Sequence, residues 1–89
     1  MWFKRGGKIT SDNGDWYAYH SFLHPLGVVV INEFSYSDRS GDTRQTEFET
    51  VIYGFRYIMT VDRVDLSERS LKVIAGKFIR EAIKKSQGL

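Results

Sequence analysis

Residues 65–88 read DLSERSLKVIAGKFIREAIKKSQG. Leu71, Ile74, Ala75, Phe78, Ile79, Ala82 and Ile83 recur at spacings of three and four, which places them on one face of a helix. Asp65 is a suitable N-cap, with Glu68 three residues on in a capping-box arrangement. Lys84 and Lys85 suit the negative end of the helix dipole, and Gly88 suits the left-handed residue that follows a helix. The spacing predicts a helix over about 66–86, about 30 Å long and able to cross a four-stranded sheet. Everything upstream must supply the surface on which its apolar face rests.

That upstream chain reads as strands separated by turns. Gly6-Gly7, Ser11-Asp12-Asn13-Gly14, His24-Pro25-Leu26-Gly27 and Asp38-Arg39-Ser40-Gly41-Asp42 are turn or break signals, and Asn13-Gly14 suits a type I′ hairpin turn. Short runs at Trp2–Arg5 and Lys8–Thr10 are weak strand signals. Within 15–23, Trp16, Ala18, His20 and Phe22 alternate with Tyr17, Tyr19, Ser21 and Leu23. Residues 28–36 open with Val28-Val29-Val30-Ile31, the continuous β-branched run of a strand buried on both faces. Phe48 and Ile52 alternate with Glu47, Glu49 and Val51. After a bend at Gly54, Phe55, Tyr57, Met59 and Val61 alternate with Arg56, Ile58 and Thr60. The connections are too short for crossovers, so the strands are antiparallel. The expected fold is α+β: one domain over 1–89, a four- to five-stranded antiparallel sheet followed by one long C-terminal amphipathic helix, in the order β-β-β-β-α.

The chain has 89 residues, 42% hydrophobic and 15% aromatic, with no cysteine. Disulfides, zinc–thiolate sites and thiol catalysis are therefore excluded. The early charges Lys4, Arg5 and Lys8 argue against a secretory leader. No apolar run approaches the roughly 18–20 residues of a membrane span, so the expectation is a cytoplasmic protein with no membrane partner. Net charge is +2, unevenly laid out. Residues 1–10 carry three cations, residues 11–62 carry eight acids against three arginines, and residues 66–89 carry six cations against two acids.

Sequence signals for chemistry are sparse. His20 and His24 lie roughly 13 Å apart on an extended chain, too far to share an ion. Asp12-Asn13-Gly14-Asp15 lacks the glutamate that closes a calcium loop, since Leu23 stands in its place. No Gly-x-Ser-x-Gly elbow and no phosphate-cradling Gly-Lys-Ser/Thr loop occurs. The chain is expected not to be an enzyme and to need no metal or cofactor.

One helix covers one face of a sheet, so the other face must be polar or be covered by a partner. Its aromatic content points to a partner, and a homodimer is expected. A nucleic-acid reading needs cations beside aromatic platforms. In it, Tyr17 and Tyr19 stack on bases of a single strand while Lys4, Arg5, Lys8 and Arg56 hold phosphates, with Trp16 and Arg44 extending the patch. The element order resembles that of PUR-type and Whirly-type single-stranded nucleic-acid binders, a likeness of layout that carries no motif and no residue. The alternative is a protein–protein module, an adaptor, inhibitor or self-associating subunit, using the same face with its Trp and Tyr anchors.

Overall fold

A computed structural model describes residues 2–88. Five strands precede one helix: β1 Trp2–Thr10, β2 Trp16–His24, β3 Gly27–Asp38, β4 Gly41–Ile52, β5 Phe55–Val61 and α1 Glu68–Ser86. They form a meander in the order β1-β2-β3-β4-β5, and every neighbouring pair is antiparallel. The expected α+β sheet-and-helix arrangement is present, with the N-terminal segment as its fifth strand.

Hairpin register sets the faces. Ala18 pairs with Glu33, His20 with Ile31 and Phe22 with Val29. Ile31 pairs in turn with Phe48, and Phe48 with Met59. Because successive residues point to opposite sides, these positions form one face. That face carries α1 and the core: Phe22, Val29, Ile31 and Phe48 from the sheet meet Leu66, Leu71, Ala75, Phe78 and Ile79. Each large side chain so enclosed contributes about 1.5–3 kcal/mol. Two buried threonines close local gaps: Thr46 donates to the Arg63 carbonyl (2.6 Å) and Thr50 to the Val28 carbonyl (2.9 Å).

Four local expectations need correction. Gly6-Gly7 is a bulge within β1, not a turn between two strands, since Arg5 pairs with His20 and Lys8 with Ala18 across a register shift. A Cβ on Gly6 would meet the Tyr19 ring and the Tyr19 carbonyl oxygen, which only glycine permits. The 11–15 hairpin is not type I′: Gly14 has φ +90°, whereas Asn13 is not left-handed. The I′-like two-residue turn is instead Tyr53-Gly54, with φ of +51° and +80°. The helix is capped by Ser67, not Asp65. Ser70 N–H donates to Ser67 Oγ (3.1 Å), while Asp65 is left-handed (φ +57°) and its N–H donates to Glu33 Oε1 (2.9 Å). Gly88 is left-handed after the helix, as its position predicts.

The fourth correction concerns β3. The Val28–Ile31 run predicts burial on both sides, but the helix covers only one. Val29 and Ile31 are fully buried, whereas Val28 is 51% and Val30 37% exposed.

Candidate functional site: the open face of the sheet

The face opposite α1 collects the alternate residues of every strand. On β2 it carries Tyr17, Tyr19 and Leu23; on β3, Val28, Val30, Phe34 and Tyr36; and on the two edge strands, Trp2, Ile9 and Ile58. The aromatics form a continuous row. The Tyr19 and Tyr17 rings stack at 6.1 Å, and Tyr17 tilts against Phe34 at 5.2 Å. Tyr17 Oη donates to Asn32 Oδ1 (2.7 Å), which fixes its ring. Ile9, Tyr17, Phe34 and Tyr36 line a shallow depression of about 310 Å³ at one end of the face. The Gly6-Gly7 bulge completes the row at its other side, because the absence of side chains there lets the Tyr19 ring lie across β1.

Charge on this face is mixed in sign. Lys4 sits on β1, Glu47 and Glu49 on β4, and Arg56 on β5. Arg56 is ion-paired with Glu49. With Asp38 at the end of β3 the face carries three acids against two cations, so it has no net positive charge to draw phosphate.

The proposed nucleic-acid set therefore divides. Tyr17, Tyr19, Lys4 and Arg56 share the open face. Arg5, Lys8, Trp16 and Arg44 stand on the helix side of the sheet. There Lys8 Nζ lies 4.3 Å from the Trp16 ring centroid, a cation–π contact. The Arg5 guanidinium lies 5.8 Å from the centroid of Phe3, which Lys72 Nζ approaches to 6.0 Å from α1. Arg44 lies 3.9 Å from Asp42 at the exposed β3–β4 turn. A cationic, aromatic ledge thus runs along the β1 edge, apart from the tyrosine row.

Sequence reasoning missed the buried pair His20–Glu33. His20 Nε2 lies 2.6 Å from Glu33 Oε2, with both side chains 4% exposed. The His20 ring stacks on Phe3 at 5.7 Å. Glu33 Oε1 accepts the Asp65 N–H, so one carboxylate links β2, β3 and the approach to α1. The available signal was parity: Glu33 falls on the buried side of β3 with Val29, Ile31 and Ser35. His24 sits at the β2–β3 turn, where its Nδ1 accepts the Leu26 N–H (3.1 Å). Burial, with the Arg80 guanidinium close by, holds it below the usual histidine range. Among the described residues no group of three or more histidine or carboxylate side chains converges as a metal site. No helix among them is long and apolar enough to cross a membrane.

Comparison with protein families, curated proteins and solved structures finds no match to this chain. The likeness to PUR-type and Whirly-type binders rests on element order alone.

Proposed function

We propose that this chain is a non-enzymatic, self-associating binding module whose open sheet face packs against the same face of a second copy. The β3 run carries the reading. Val28 and Val30 have the composition of a strand buried on both sides, yet about half of Val28 and over a third of Val30 are left to solvent in the single chain. Around them Trp2, Ile9, Tyr19, Leu23, Tyr36, Val51 and Ile58 are also exposed. Nine such side chains, about half exposed at up to roughly 200 Å² each, present on the order of 900 Å². The largest apolar patch of a typical monomer is only about 300–600 Å², and a standard interface takes about 800 Å² from each partner.

The charge pattern favours a like partner. Charges of both signs on one face suit an isologous contact, in which the same patch meets itself. Two antiparallel sheets packed face to face at about 10 Å make a sandwich with α1 of each copy on the outside. Sedimentation velocity across a concentration series tests the reading. A dimer is expected for the natural chain, and a folded monomer for Val30→Glu. A monomer at every concentration overturns it.

The ledge on the β1 edge favours a second reading. Arg5 and Lys8 lie beside Phe3 and Trp16 without an acidic partner among the described residues. A single-stranded nucleic acid running along this edge would meet cations and ring faces together. Titration with a fluorescent single-stranded oligonucleotide at low and moderate salt tests it. Binding that weakens with salt and is lost in Lys8→Ala/Trp16→Ala supports this reading. No binding at low salt removes it.

A further inference from the structure

A second concave surface lies on the opposite side of the molecule, between α1 and β5. The helix packs mainly against β4 and makes lesser contact with β2, β3 and β5. That leaves a groove of about 490 Å³ floored by Tyr57, Met59 and Val61 and walled by Ile74, Phe78 and Ala82. Its volume lies within the roughly 300–1,000 Å³ of small-ligand sites, which are apolar troughs with a few polar groups placed to orient the ligand. The groove runs from Ile74 to Lys85 along the helix, about 16 Å at 1.5 Å per residue.

The polar groups at its rim are Lys77, Glu81 and Lys85, one helical turn apart along the same side of α1. Glu81 lies 3.5 Å from Lys84, which offsets its charge. Neither Lys77 nor Lys85 is ion-paired among the described residues. An apolar trough whose mouth carries two lysines in no ion pair and one glutamate that pairs with Lys84 has a net positive rim, complementary to a molecule with a long apolar tail and one anionic head. We propose that the α1–β5 groove binds a single-chain fatty carboxylate. The alkyl tail lies against Tyr57, Met59, Ile74 and Phe78, and the carboxylate meets Lys77 or Lys85. The lysine stems pack along the apolar wall while their ammonium groups stay at the water boundary. A sandwich joined through the open faces leaves both α1–β5 grooves on the outside, and the two surfaces share only the edge residue Ile58.

The test is a fluorescence titration of the full chain with cis-parinaric acid, followed by displacement with palmitate or with the uncharged hexadecanol. Saturable binding of one probe per chain, displaced by palmitate, is expected. The surface variant Lys77→Glu/Lys85→Glu should weaken palmitate by about tenfold, the scale of two exposed charge contacts reversed in sign, and leave hexadecanol within about twofold. Absence of saturable binding overturns the proposal, as does equal weakening of the acid and the alcohol. Sedimentation of the same variant supplies the remaining outcome. If it converts a dimer to a monomer, the groove belongs to a second copy and not to a lipid. An unchanged oligomeric state keeps the groove for the carboxylate.

Discussion

Gly76 lies in the middle of α1, on the buried side, and a small residue there invites the reading that a strand presses against the helix backbone. The geometry is looser than that. A Cβ at residue 76 would sit 3.4 Å from an Arg80 guanidinium nitrogen and 3.6 and 3.8 Å from the His24 ring, all ordinary contacts with side chains that can shift. Gly76→Ala therefore collects the helix-propensity difference of about 1 kcal/mol between glycine and alanine. It also encloses part of one methyl group, a fraction of about 0.8 kcal/mol. Against these stands a few tenths for moving Arg80. The expected net is a stabilisation of about 1 kcal/mol, or about 4–8 °C in Tm for a domain of this size. Gly76→Leu adds three more carbons in the direction of His24 and should destabilise by about 1–3 kcal/mol through overpacking. Urea unfolding followed by circular dichroism measures both. If Gly76→Ala were destabilising, the helix and the β2–β3 turn would be closer than described, and this account of α1 packing would be wrong.

Three further predictions bear on the fold beneath the open face. Glu33→Ala leaves His20 Nε2 and the Asp65 N–H without their acceptor and should cost about 2–5 kcal/mol. Glu33→Gln, which retains an acceptor oxygen, should cost less, and unfolding free energies from urea titration within about 1 kcal/mol of the natural chain for both would contradict the role given to the pair. Tyr53 is a non-glycine residue held left-handed at an 86% exposed turn position, so Tyr53→Asn should raise stability by about 1 kcal/mol; a lower melting temperature would count against the I′-like turn. His24 titrates near 6.5 in the unfolded chain and lower in the folded one. Its contribution to stability is therefore complete above pH 6.5 and declines as pH falls from there to the folded-state titration. His24→Gln should flatten that part of the stability–pH curve, and an unchanged slope would refute the assignment.

Much of this was legible in the residues, for physical reasons that can be named. The helix was readable because its seven apolar positions obey one period and every one of them is buried or partly buried. Strand faces were readable wherever polar and apolar residues alternate, as in Tyr17/Tyr19 against Ala18/His20/Phe22. The errors arose where two mechanisms compete for the same residue. Gly6-Gly7 supplies either a turn or a bulge, and only the pairing of Arg5 with His20 and Lys8 with Ala18 decides between them. Asp65 is a good cap in isolation, but the buried Glu33 carboxylate claims its N–H, and capping falls to Ser67. The division of the cations was not readable at all. The bulge adds one residue to β1, so the parity of Lys8 relative to Lys4 cannot be known until the register is known. The Val28–Ile31 run suggests burial on both sides, but composition does not say what covers the second side: α1 covers Val29 and Ile31, and Val28 and Val30 are left exposed in the single chain.

Val28 and Val73 offer a matched comparison for the proposed sandwich dimer. Within one chain they are equally exposed, at 51% and 52%, the first on the open sheet face and the second on the outer side of α1. Methyl NMR of the natural chain with a soluble paramagnetic agent reads their access to solvent directly. In the sandwich dimer the Val28 and Val30 methyl signals are attenuated no more than those of the buried Val29, while Val73 is strongly attenuated. If Val28 and Val73 are attenuated alike at concentrations where a dimer should form, the open face is bare and self-association through it is refuted.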